Sequence, residues 1–157
     1  MFFTMYPLLL FLHSFLRWLV LGSLVYSIYI SYNGKAGNLK FTKTTNQWRH
    51  WTATIAHVQL LLGMAIYVQS PFVMYQLMDN PNKILNEQTF FRYLHLIMMM
   101  VAVILITIGS AKAKRLKSDH EKFNTMLTWF AFALVVILIA IPWPFSPLTS
   151  RPLVRGM

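Results

Sequence analysis

Four ionisable side chains lie inside long apolar stretches of this sequence, where each needs a partner or a function because charge is costly there. They are His13 and Arg17 in the first stretch, His57 in the second and His95 in the third. Imidazole rings bind metals and haem iron, whereas arginine pairs with carboxylates and phosphates. The residue types therefore favour a buried cofactor site.

His13 and His95 are predicted to lie at the same depth in the membrane. Tyr6 marks the start of the first apolar stretch, at what we predict below to be the outer surface of the membrane. Counted from there at about 1.5 Å per residue, His13 lies roughly 10 Å below that surface. Counted from Phe90, His95 lies roughly 8 Å below the same surface. Two level imidazoles on different helices are what axial haem ligation requires. We therefore expect His13 and His95 to ligate the iron of haem b.

His57 and Arg17 complete the predicted site. His57 is about six residues from the cytoplasmic end of the second helix, hence nearer the cytoplasmic half of the membrane than His13 and His95. We therefore expect it to be a substitute ligand. Arg17 follows His13 by four residues and shares its helix face. No Asp or Glu lies in any apolar stretch, so a haem propionate, a backbone carbonyl or another subunit is the candidate partner of Arg17. For each histidine, a simple hydrogen bond to a neighbouring helix remains an alternative.

Other chemistries find little support in the sequence. The chain has no cysteine, which excludes disulfides, c-type haem attachment and thiolate-held iron–sulfur clusters. It also lacks the H-E-x-x-H motif, the nucleophile elbow and the glycine-rich phosphate loop. Without carboxylates in the apolar stretches, a carboxylate-based ion relay is not expected.

The elements that must position these residues are membrane helices. Apolar residues make up 57% of the chain and charged residues 11%, against about 25% charged in globular proteins. Four stretches each supply the roughly 20 residues that cross a bilayer, and only helices satisfy their own backbone there. The sequence predicts a single all-α domain, 1–157: an antiparallel four-helix transmembrane bundle with spans of about 5–32, 51–75, 90–112 and 120–141.

The basic residues predict the orientation. Of the fourteen Lys and Arg residues, nine lie in the connecting segments 33–50 and 111–122. The positive-inside rule places these segments in the cytoplasm and both termini on the non-cytoplasmic side. It also accounts for much of the net charge of +10, so nucleic acid is not an expected partner. The expected partners are the lipid bilayer and either other membrane subunits or further copies of this chain.

Five segments resemble small four-helix proteins of Bacteroidetes-type bacteria that are identified as cytochrome b-like, and the resemblance covers nearly the whole chain. It implies a bacterial inner-membrane protein in which His13, His57 and His95 are the family's histidines. It does not imply which two bind iron. The segments are L-H-S-F-L-R-W (12–18), A-H-V-Q-L-L-L-G (56–63), L-H-L-I-M-M-M (94–100), I-G-S-A-K-A-K-R (108–115) and I-P-W-P-F (141–145).

The chain is also loosely similar to the oxygen-independent protoporphyrinogen oxidase family, which has four membrane helices, a first-helix histidine and bound haem. That family uses a membrane-embedded lysine. Here Lys112 and Lys114 lie only at a helix end, which disfavours porphyrinogen oxidation.

Three functional hypotheses follow. The first is an integral b-type haem protein that carries electrons, as a subunit of a larger membrane redox complex. The second is a cofactor-free accessory subunit of a membrane complex. The third is an enzyme resembling protoporphyrinogen oxidase.

Overall fold

The computed structural model describes residues 5–70, 73 and 87–145, and their regular structure is all helical. Within these residues, four helices are long and apolar enough to cross a membrane. The predicted four-helix transmembrane bundle is therefore confirmed. The main helices are α1 (Met5–Ala36), α2 (Lys43–Gln69), α3 (His95–Arg115) and α4 (Asp119–Ala140). One α-helical turn, Glu87–Thr89, and a π-helical segment, Phe90–Leu94, lead directly into α3.

The four helices form a ring. α1 packs against α2 and α4, and α3 packs against the same two helices. The connections 37–42 and 116–118 are short, as expected for antiparallel neighbours. The up-down-up-down order places the carboxyl ends of α2 and α4 beside the segment that leads into α3.

The first helix ends beyond the predicted span. α1 continues to Ala36, four residues past the predicted boundary at 32. Asn38 then adopts a left-handed conformation with φ 48°. The amide of Leu39 donates to the carbonyl of Gly34 over 2.9 Å, which forms a Schellman motif.

The second helix begins well before its predicted span. It starts at Lys43 rather than near 51, because Thr42 caps it and accepts a hydrogen bond from the Thr45 amide over 3.2 Å. Its first two turns are polar, so an apolar pattern does not reveal them. α2 ends at Gln69, and most of the predicted span after residue 70 lies outside the described residues.

Hydroxyl groups join α1 and α2 inside the bundle. The hydroxyls of Ser27 and Thr52 are 2.8 Å apart, and Thr52 donates to the carbonyl of Ser23 over 3.3 Å. Ser27 must therefore donate to Thr52, since a hydroxyl has one hydrogen. Ser31 donates to the Ser27 carbonyl over 2.6 Å. Such bonds between helices stabilise membrane bundles.

Arg49 joins α2 to α3 at the end of the bundle that carries the basic connecting segments. Its side chain is only 5% exposed. Nη1 donates to the carbonyl oxygen and the hydroxyl of Ser110, and Nε donates to Oδ1 of Asn46 over 3.0 Å. These polar groups compensate the cost of burying the guanidinium.

Two glycines bring α4 close to its neighbours. A Cβ at Gly34 of α1 would overlap the ring of Phe123. A Cβ at Gly109 of α3 would overlap Cβ of Trp129. Small residues at such positions let membrane helices approach closely.

Candidate cofactor site

A cavity of about 220 Å³ lies among α1, α2, α3 and the carboxyl end of α4. His13, Arg17, Gln59, Tyr67 and His95 are among the polar residues that line it. The rest of the wall is largely apolar and includes Leu10, Leu60, Met64, Phe91, Met99 and Val103. An apolar pocket with a few convergent polar groups is typical of a small-molecule or cofactor site.

His95 stands at the first residue of α3 with its ring fixed by α4. Nδ1 lies 2.8 Å from the carbonyl oxygen of Ala140, the last residue of α4. Because a carbonyl only accepts, Nδ1 carries a hydrogen and donates it. In the neutral ring, Nε2 then holds a lone pair. Metal-binding histidines are commonly oriented in this way, with the second ring nitrogen donating to a carbonyl.

Packing against α2 positions His13. An ideal Cβ on Gly63 of α2 would lie 3.2 Å from Cε1 and 3.7 Å from Nδ1 of His13. The missing side chain of Gly63 therefore provides the space that the ring occupies. Nδ1 of His13 is buried and finds no hydrogen-bond partner within the described part of the chain. An unpaired nitrogen is costly in the interior, so this ring is suited to pairing with a bound group.

Gln59 is a cavity residue that the sequence reasoning did not single out. Its Nε2 donates to the backbone carbonyl of His13 over 2.9 Å. Its Oε1 is buried and has no partner among the described residues. The sequence did contain a sign of its role, because a side-chain amide within an apolar span needs hydrogen-bond partners and so favours the interior of the bundle.

Arg17 lies one turn further along α1 and lines the same cavity. Its guanidinium lies over the ring of Trp18, 5.4 Å from the ring centroid. It shares this cavity with His13 and His95. No carboxylate is found among the described residues that line the cavity. A ligand with an acidic group would supply the anion that arginine favours.

His57 points away from these residues. It is exposed on the surface of the bundle and does not line the cavity. Nδ1 lies 2.7 Å from the carbonyl oxygen of Ala53, and Nε2 lies 3.1 Å from the hydroxyl of Thr107 on α3. Nδ1 is therefore engaged within α2, and Nε2 links α2 to α3. Depth is not what separates His57 from the site, since it lies only about 3 Å along the axis from Gln59.

The site thus brings together His13, His95 and Arg17 of the predicted residues and leaves out His57. No cluster of three or more His, Cys, Asp or Glu side chains that could hold a metal ion occurs in the described ranges. Two imidazoles alone suit haem iron, because the porphyrin already supplies its other ligands. No protein-family model, curated protein or solved structure matches this chain.

Proposed function

We propose that the protein is an integral membrane b-type haem protein that carries electrons. Its haem binds in the cavity among α1, α2 and α3, with His95 and His13 as the axial ligands. It acts in a bacterial inner membrane, with the basic connecting segments in the cytoplasm, as a subunit of a larger redox complex.

The observation that carries the proposal is the convergence of two histidines from separate helices on one apolar cavity. Nδ1 of His95 donates to the Ala140 carbonyl over 2.8 Å. This bond leaves Nε2 available as a ligand and fixes the direction of the ring. The unpaired Nδ1 of His13 and the space beside Gly63 provide a second ring that a bound group completes.

Bound haem supplies reversible one-electron chemistry at its iron. His95 and His13 would hold the iron, and the apolar wall would exclude water from it. Burial and hydrogen bonding would tune its reduction potential. Arg17 pairs with a propionate. The hydrogen bond from Nδ1 to the Ala140 carbonyl makes His95 a stronger ligand, because it increases the basicity of the ring.

The direct test is an absorption spectrum of the purified protein, produced with an ample haem supply. We expect a b-type α-band in the reduced-minus-oxidised spectrum. The His95→Ala and His13→Ala variants lose the band or most of the bound haem, because each removes an axial ligand.

His57→Ala is the matched control, because it removes an imidazole from a membrane helix without touching the cavity. It retains the band. A folded, colourless wild-type protein would contradict the proposal and favour the cofactor-free accessory subunit. Loss of haem in His57→Ala alone would overturn the ligand assignment, and turnover of a porphyrinogen by the purified protein would favour the enzyme.

A further inference from the structure

A π-helical segment, Phe90–Leu94, immediately precedes the ligand candidate His95. The amide of His95 donates to the carbonyl of Phe90, five residues back. This segment is energetically less favourable than a continuous α-helix, and single π turns inside helices frequently mark functional sites. Its position beside His95 calls for a physical reason.

The π turn changes which side chains can reach His95. In an α-helix, the residue four positions back lies roughly 40° around the axis, and the residue five positions back lies roughly 140° away. Only Phe91 would then approach the imidazole. In the wider π turn, both residues lie about one turn below. The ring centroids of Phe90 and Phe91 are in fact 5.9 Å and 6.0 Å from that of His95.

These two rings, the phenylalanine pair (Phe90 and Phe91), restrict rotation of the imidazole. Phe90 is tilted by 39° relative to it, and Phe91 meets it edge-on at 63°. Phe90 is 2% exposed, so it has little freedom to move. Together with the Ala140 carbonyl, the phenylalanine pair fixes the plane of the His95 ring.

One side chain from another helix stabilises the π turn. The hydroxyl of Tyr67 on α2 donates to the carbonyl of Arg92 over 3.2 Å. Irregular backbone in a membrane helix is tolerated where neighbouring helices satisfy its polar groups. Tyr67 also lines the cavity, so it connects the turn to the cofactor space.

We propose that Tyr67 is a positioning residue for His95: its bond to the Arg92 carbonyl holds the π turn, and the turn holds the phenylalanine pair against the imidazole. This assignment rests on the proposed function only in naming His95 a haem ligand. The orientation of the ring in the ligand-free protein follows from the contacts alone.

Tyr67→Phe removes the hydroxyl and keeps the ring, so the bundle is expected to fold. The matched control is Tyr93→Phe, which removes a hydroxyl from an exposed tyrosine on the π segment itself. In haem-free protein with ¹⁵N-labelled histidine, we expect Tyr67→Phe to shift and broaden the His95 ring signals. Tyr93→Phe leaves them as in the wild type.

In the haem-loaded protein, Tyr67→Phe weakens haem binding about tenfold, as loss of a group that orients a ligand commonly does. It also changes the low-temperature electron paramagnetic resonance signal, which is sensitive to the planes of the axial rings. Wild-type His95 signals in haem-free Tyr67→Phe would overturn the inference. If the wild type binds no haem, the proposed function fails, and the ¹⁵N experiment still decides the role of Tyr67.

Discussion

Replacing Gly63 by alanine tests how His13 is held. The new Cβ would lie 3.2 Å from Cε1 of His13, whereas carbon atoms in favourable contact are about 3.5–4.0 Å apart. The ring must therefore retreat by roughly 0.3–0.8 Å. Ligand sites tolerate displacements of about 0.5 Å. Haem affinity is expected to fall about tenfold, as for the loss of a supporting group.

The stability of the helix is expected to change in the opposite direction. Alanine in place of glycine favours a helix interior by up to about 1 kcal/mol in soluble hosts. The Gly63→Ala protein should therefore melt at the same temperature as the wild type, or higher, in haem-free form. Titration of haem into the purified apoprotein measures the affinity, and thermal melting in detergent measures the stability.

Gly22→Ala is the matched control, because a Cβ at Gly22 would meet no atom within 4 Å among the described residues, apart from its own stretch of helix. It should show the same gain in helix stability and unchanged haem affinity. Equal haem affinity in Gly63→Ala and Gly22→Ala would refute the argument that packing on Gly63 positions His13. A large loss of stability in Gly63→Ala would show that the glycine serves the bundle rather than the site.

Two further predictions concern the bundle. Ser27→Ala removes the donor to Thr52. It should lower the free energy of unfolding by about 0.6 kcal/mol, the average for hydrogen bonds between membrane helices. Unfolding in detergent measures this free energy, and an unchanged value would show that the bond does not stabilise the bundle. For orientation, a single Lys117→Cys substitution in this cysteine-free chain should react with a membrane-impermeant thiol reagent only after cells are broken. Phe145→Cys, at the other end of the bundle, should react in intact spheroplasts, and the reverse pattern would place the basic segments outside.

The number and approximate positions of the membrane helices could be predicted from the sequence, because their apolar stretches are long and nearly free of charge. The ends of the helices were harder to predict. The polar first turns of α2, after the cap at Thr42, extend the helix beyond the apolar pattern. The end of α1 at Ala36 depends on a left-handed Asn38, which adopts that conformation without glycine.

The depth of a histidine along its helix could be predicted from the sequence, but the side of the helix that it faces could not. His13 and His95 reach one cavity, as their depths suggested. His57 faces outward, and the sequence does not indicate this, because apolar residues also lie on the outward side of α2. The cavity face of α2 carries Gln59 and Gly63 instead. The π turn before His95 also has no sequence signature, since it depends on contacts with α2 such as that of Tyr67.

The most direct test of haem binding by these two histidines is an experimental structure of the haem-loaded protein that locates the iron by its anomalous scattering. The expected result is one iron in the cavity, bound by Nε2 of His95 and by the ring of His13. A cavity without iron in a protein of full haem content would contradict it. An iron bound by His57, or by only one of the two predicted histidines, would do the same.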